Sequence, residues 1–172
     1  MRKLRYMVAA SLDGFIAGPN GETDWIPMDP EFDFGALFRQ FDTLLAGRRT
    51  FEGMVRTGDV AMPGMRTVVF SRTLRQRDYP AVTIVNEKAE EAVGRLRAES
   101  RKDLSLFGGG ELFRSLAAAG LVDTVEVAVV PVLLGGGIPL LPGEGKPLKL
   151  SLLSHALYSR SGVVSLEYAI TQ

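Results

Sequence analysis

With 172 residues, 46% of them hydrophobic, the chain can bury roughly two-thirds of its unfolded surface, and a single domain over 1–172 is the expectation. The 20 Lys plus Arg balance 20 Asp plus Glu, so no global field favours nucleic acid or an anionic membrane as partner, and an anion site has to be local. With no cysteine and one histidine, His155, disulfides, thiolate ligands and a histidine-based zinc site are excluded and no metal is expected.

Leu4 to Ser11 is apolar and nearly continuous, as in a strand buried on both faces, and Asp13-Gly14 ends it with a turn signal. The run is too short for a signal-peptide core or a membrane span, which makes a cytoplasmic location the expectation. Ala17 to Pro30 is a long irregular loop carrying the only tryptophan, Trp25, and long loops in compact domains tend to be functional. Phe34, Leu37, Phe38 and Phe41 recur at helical spacing and predict a helix over Asp33 to Gln40, followed by a strand Thr43 to Ala46. Gly47-Arg48-Arg49-Thr50 opens a second helix that continues through Phe51 and Met54. A strand Arg66 to Phe70 leads to Ser71-Arg72, and Val82 to Val85 gives another. Glu87 to Arg101 reads as a crossover helix whose charges form a solvated face.

Leu104 to Phe107 is a predicted strand, Leu112 to Ala119 a helix and Val122 to Val130 a long strand rich in β-branched residues. Leu133 to Gly137 and Pro139 to Pro147 form a loop rich in glycine and proline. Leu148 to Tyr158 and Val163 to Thr171 are joined as an antiparallel hairpin, in which His155 is a surface or structural residue. Strands alternating with helices before a final hairpin give an α/β fold with a mostly parallel sheet and helices on both faces.

Gly108-Gly109-Gly110-Glu111, directly after an apolar strand and before a helix, is either a tight turn or a phosphate seat, because a helix start offers free N–H groups and a positive dipole end. The run departs from the dinucleotide pattern G-x-G-x-x-G, since no glycine follows in the first helical turn. Gly47-Arg48-Arg49-Thr50 and Ser71-Arg72 stand at two other strand ends, and in open α/β sheets such ends converge on a ligand. Cations at a helix start oppose its dipole unless an anion sits nearby. An arginine on a phosphate contributes roughly 1.5–3 kcal/mol per charge-assisted bond, enough to favour a 2′-phosphorylated dinucleotide by more than about tenfold.

Ala9 to Ala17, Asp24-Trp25-Ile26, Leu45 to Glu52, Phe107 to Leu112, Gly120 to Asp123 and Val130 to Gly137 together resemble the dihydrofolate reductase-like superfamily. The Ser-Leu-Asp-Gly start at Ser11 and the Pro-x-Leu-Leu-Gly-Gly-Gly end at Pro131 resemble, within it, the C-terminal reductase domain of the riboflavin-biosynthesis deaminase-reductase. The resemblance implies a dihydrofolate reductase-like mixed sheet and NADPH as hydride donor. It places Gly47, Arg48, Arg49 and Thr50 on the phosphates, Ser71 with Arg72 on the 2′-phosphate, and Gly108, Gly109, Gly110, Glu111 and Leu112 around the pyrophosphate. The backbone at Ala9 and Ile16 would face the nicotinamide. It further implies a small heterocyclic substrate, reduced as in 5-amino-6-(5-phosphoribosylamino)uracil reductase, and a homodimer contacting through the late strands.

Dihydrofolate reductase uses an acidic residue early in the helix after the tryptophan. Counting forward from Trp25 lands on Pro30, one past Asp29, while counting back from Gly47 lands on Glu31, so Asp29, Glu31 and Asp33 all stand as candidates beside Trp25. Each is also a plain helix N-terminal carboxylate. No His-x-Glu with Pro-Cys-x-x-Cys is present, so zinc deamination is excluded and reductase chemistry remains. The loop from Ala17 to Pro30 has no basic residue for a substrate phosphate, which counts against that particular uracil reductase activity. A true dihydrofolate reductase and a non-catalytic NADPH-binding protein are the alternatives.

Overall fold

The computed structural model describes residues 1–58, 60–62, 64–99 and 101–171. Eight strands form one sheet: β1 (Leu4–Ser11), β3 (Phe41–Gly47), β4 (Arg66–Phe70), β5 (Thr83–Val85), β6 (Asp103–Gly108), β7 (Thr124–Val130), β9 (Lys149–Tyr158) and β10 (Val163–Thr171). Their order is β5-β4-β3-β6-β1-β7-β10-β9. Every neighbouring pair from β5 to β7 is parallel, and β10 alone runs against the rest. Two reversals therefore return β9 to the common direction, and the turn between β9 and β10 lies at the carboxyl edge. A separate small pair joins β2 (Phe15–Ala17) to β8 (Ile138–Pro139), neither of which is predicted by the apolar pattern.

The helices are α1 (Phe34–Phe38), α2 (Arg48–Thr57), α3 (Ala89–Ala98) and α4 (Gly110–Ala118). α1 is shorter than its aromatic spacing predicts because Phe41, the last member of that stripe, starts β3 and is buried there. α4 starts two residues before the predicted Leu112, with Gly109 as its N-cap. α3 ends at Ala98, ahead of the predicted Arg101, because Glu99 turns to an extended conformation where it pairs with Arg2 and Arg66; Ser100 lies outside the described residues.

Alternation along the strands divides the apolar residues between the two faces. Leu4, Tyr6, Leu45, Val68, Leu104, Leu106 and Val125 pack with Val93 of α3 and Phe113 and Leu116 of α4 on the first face. Tyr6 stacks on Phe113 at 4.1 Å between centroids. Leu44, Ala46 and Val69 point the other way, to Phe51 and Met54 of α2. This second core covers only the β3–β4 half of its face. Among the described residues, neither apolar cluster extends over the second face of β1, β7, β10 and β9.

Candidate active site

The ends of β3 and β6 meet at the carboxyl edge, where a Cβ on Gly47 would lie 3.6 Å from the Gly109 nitrogen and 3.7 Å from the Gly108 oxygen. Gly47 is the N-cap of α2 and Gly109 the N-cap of α4, and neither end receives a side-chain capping bond. Two first turns, Arg48-Arg49-Thr50 and Gly110-Glu111-Leu112, thus present N–H groups and positive dipole ends around one point, as an anion requires. The Thr50 hydroxyl packs on Gly108 and Gly109, 3.3 and 3.2 Å from where their Cβ atoms would stand. Gly108 has φ +144°, a conformation suited to glycine, and its peptide to Gly109 is cis. Gly110 is constrained from behind, since a Cβ there would lie 2.6 Å from Pro142 Cδ and 2.9 Å from the Leu140 oxygen. Arg49 and Glu111 face each other across the seat at 3.9 Å, both about four-fifths exposed, while Arg48 pairs with Glu52 at 3.1 Å.

The ends of β4 and β5 carry the second element. Ser71 is buried, and its Oγ accepts the N–H groups of Thr73 at 3.2 Å and Leu74 at 3.0 Å, so it shapes the turn rather than facing solvent. That turn opens a cleft of about 410 Å³ lined by Arg72, Thr73, Arg75, Gln76, Ile84 and Asn86. Among the described residues neither Arg72 nor Arg75 has an ion-pair partner. Arg75 is absent from the sequence expectations, although its spacing three residues beyond Arg72 on a tight turn is the signal that could have found it.

The third element is the half-face left open beside the second core. Strand register sets Ala9, Ala128, Ser165 and Ala156 side by side across β1, β7, β10 and β9, a trough of small side chains. The row nearer the amino edge is Met7, Glu126, Glu167 and Ser154. Phe38, Phe34, Phe32 and Tyr158 form a chain of rings from α1 to the end of β9, with successive centroids 6.1, 4.4 and 5.5 Å apart.

The predicted carboxylates lie in the loop before and at the start of α1, and each is engaged. Asp29 accepts the Glu31 N–H at 2.8 Å and the Ser161 N–H at 3.1 Å. The Ser161 side chain first, then these backbone bonds, with Arg160 nearby, hold its carboxyl below the ordinary aspartate value. Glu31 lies 3.8 Å from Arg160, and Asp33 caps α1 through the Ala36 N–H at 2.8 Å. Trp25 donates its indole N–H to the Glu22 carbonyl at 3.1 Å. Ile16 lies in β2, beside the trough strand β1.

Asp13, a turn signal and a member of the Ser-Leu-Asp-Gly motif in the sequence, is a clasp. Its carboxylate accepts the Ser11 hydroxyl at 2.6 Å and the Leu134 and Gly135 N–H groups at 3.1 and 2.8 Å. The Ser11 oxygen in turn accepts the Phe15 N–H at 2.9 Å. Gly137 meets the Ala17 oxygen too closely for any side chain. The two motifs Ser-Leu-Asp-Gly and Leu-Gly-Gly-Gly are thereby one laced structure at the mouth of the open face.

A family model described as the RibD C-terminal domain matches residues 2–164 of this chain. The chain belongs to that family. YyaP of Bacillus subtilis (strain 168) is 34% identical over 179 residues, covering 97% of this chain and 94% of YyaP. A Shewanella sp. PV-4 crystal structure, provisionally assigned to riboflavin biosynthesis, superposes with a TM-score of 0.82 at 26% identity over 99% of both chains. Dihydrofolate reductase from Enterococcus faecalis, complexed with NADP(H), superposes with a TM-score of 0.73 at 19% identity over 99% of this chain and 97% of its own. This RibD C-terminal domain therefore has the dihydrofolate reductase-like fold, in keeping with the mixed sheet described above.

Proposed function

We propose that this chain is an NADPH-dependent reductase that delivers a hydride to a small nitrogen heterocycle, in the manner of the riboflavin-pathway pyrimidine reductases. The observation that carries the reading is the meeting of two helix N-termini without side-chain caps at Gly47 and Gly109, with Arg72 and Arg75, which have no ion-pair partner among the described residues, beyond them. The residues fit the cofactor: backbone comes close where a diphosphate needs N–H donors, and side-chain cations stand where a further phosphate needs charge. When bound, NADPH supplies the hydride.

The first turns of α2 and α4 hold the diphosphate, Thr50 packs the diglycine in place, and Arg72 with Arg75 holds the 2′-phosphate. The backbone at Ala9 and Ile16 borders the nicotinamide, and the Asp13 clasp ties together the two loops beside that wall. The acceptor lies over the trough, so the protein's contribution is alignment and exclusion of solvent. The engagement of Asp29, Glu31 and Asp33 argues against dihydrofolate as substrate.

Titration of the protein with NADPH and NADH, followed by quenching of Trp25 fluorescence, tests the reading. Preferential NADPH binding is the expected result; no binding of either, or preference for NADH, overturns it. A homodimer belongs to the same proposal, formed through β9, a ten-residue edge strand exposing Leu150, Leu152, Leu153 and Leu157. Light scattering that gives only monomer at micromolar concentration removes the dimer. No helix among the described residues is long and apolar enough to cross a membrane, and we propose a cytoplasmic location.

A further inference from the structure

Within the reductase reading, the trough lacks an obvious group to read its substrate, because the three loop carboxylates are engaged elsewhere. Two carboxylates face it, Glu126 on β7 and Glu167 on β10; Glu167 accepts the Ser154 hydroxyl at 3.0 Å, the shorter of the two hydroxyl bonds, and Glu126 is the one on the strand that adjoins β1. Glu126 stands in the middle of β7, a strand otherwise made of threonine, valine and alanine, on the same side as the trough residues Ala9 and Ala128. It sits one row, roughly 7 Å along the strand, from the Ala9–Ala128 pair. Its side chain is 21% exposed, open enough to be reached and enclosed enough for its hydrogen bonds to matter.

The neighbours of Glu126 leave it with capacity. Its Oε1 accepts the Ser165 hydroxyl at 3.3 Å. Arg5, on β1, is shared: its guanidinium lies 3.7 Å from Glu126 and 3.8 Å from Glu167, while donating to Gln40 at 2.6 Å. One cation between two carboxylates leaves this end of the trough with net negative charge. A carboxylate offers about four acceptor positions, and the described partners of Glu126 use few of them. Along the other side run the rings of Phe34, Phe32 and Tyr158, a surface for the face of a flat ring.

We propose that Glu126 is the carboxylate that reads the substrate, accepting adjacent ring N–H and exocyclic amino donors of a planar aminopyrimidine or amino-lactam laid over the trough. This rests on the reductase reading for the place of the hydride donor, but the recognition itself is a separate claim. It moves the substrate carboxylate from the segment before α1, where the tryptophan spacing puts it, to the central strand β7. The surroundings of Glu126 suit such a role, because burial raises its carboxyl above the ordinary glutamate range and Glu167 on β10 adds to this, while Arg5 and Ser165 oppose it. Tyr158 on β9 is a further titratable neighbour, its own hydroxyl pushed up by burial and by Glu126 and Asp29. Such a carboxyl can share a proton with a basic ring nitrogen.

The test is calorimetric titration of the NADPH-loaded protein with 2,4-diaminopyrimidine, which has adjacent donors once protonated, and with uracil, which lacks that edge. Wild type is expected to bind 2,4-diaminopyrimidine at least about tenfold more tightly than uracil, and Glu126→Gln to lose that preference while binding NADPH as wild type does. Equal affinity of wild type and Glu126→Gln for 2,4-diaminopyrimidine, no preference over uracil, or loss of the preference on Asp29→Asn or Glu31→Gln in place of Glu126→Gln overturns the proposal. Should Glu126→Gln fail to fold, Ala128→Leu, which fills the trough beside Glu126, is expected to weaken 2,4-diaminopyrimidine binding at least about tenfold, and unchanged binding overturns the proposal. The same titrations without NADPH keep the claims distinct: failure of wild type to bind NADPH removes the reductase reading, while the pyrimidine preference still decides the role of Glu126.

Discussion

The two edges of the sheet treat charge in opposite ways. At the amino edge Arg2 is almost fully buried, pairs with Asp42 and with Glu99, and donates to Thr43 and to the Lys102 carbonyl. Beside it Arg97 binds Asp123 at 2.9 Å and the Leu121 carbonyl at 2.8 Å, while Asp123 accepts the Leu4 N–H at 2.7 Å. Charges there close on one another and tie strand to helix. At the carboxyl edge the starts of α2, α3 and α4 receive no side-chain capping bond, and Arg72 and Arg75 lack ion-pair partners among the described residues. Polar groups satisfied within the protein hold the fold, and polar groups left over mark where something else completes them.

This contrast can be broken from either side. The largest effect is expected for Gly110→Ala: the added Cβ would collide with Pro142 and the Leu140 carbonyl and displace the start of α4, so NADPH affinity should fall by about a hundredfold or more in a fluorescence titration. Arg2→Met should act on the other property. It removes the cation from a buried network and should cost about 3 kcal/mol in chemical denaturation, with NADPH affinity unchanged in the folded protein. Arg72→Ala should weaken NADPH by about tenfold and leave NADH unaffected, since the cation acts on a phosphate that only NADPH carries.

The smallest effect is in the pH dependence. Asp29 has a lowered carboxyl pKa in the fold, so its contribution to stability is present above the ordinary aspartate value and is lost as pH falls through the folded one. Thermal melts of Asp29→Asn should accordingly lose part of the acid-side slope seen in wild type below about pH 4. An unchanged slope would mean that the bonds to Ser161 and Glu31 contribute nothing.

Much of the sheet is legible from the chain because its strands appear as apolar runs, and Leu4–Ser11 and Arg66–Phe70 have the predicted bounds; the expected burial of β1 on both faces does not hold, since its second face is only partly covered. The proposed cofactor seat is legible for a related reason: glycines are placed where backbone approaches backbone, at Gly47 and Gly108 to Gly110. Other features depend on register, which local pattern does not specify. The pairing of Ala9, Ala128, Ser165 and Ala156 joins residues far apart in sequence, and none carries a signal alone. Glu126 did carry one, a single charge inside a β-branched central strand, but its meaning depends on which half of the face the second core leaves uncovered. The short β2–β8 pair and the Asp13 clasp likewise arise from loops brought together only by folding.

Because β10 reverses direction, a turn near the end of the chain arrives beside a loop near its start, and Asp29 fastens the two together through Ser161. The aromatic side of the trough is therefore built from segments about 130 positions apart, joined at a surface turn that belongs to neither apolar core. Changes in the length or sequence of residues 159–162 can reshape the aromatic wall of the trough while leaving the meeting of β3 and β6 and the sheet as they are. Under the proposed reductase reading, that turn gives relatives sharing this sheet an independent means of diverging in substrate.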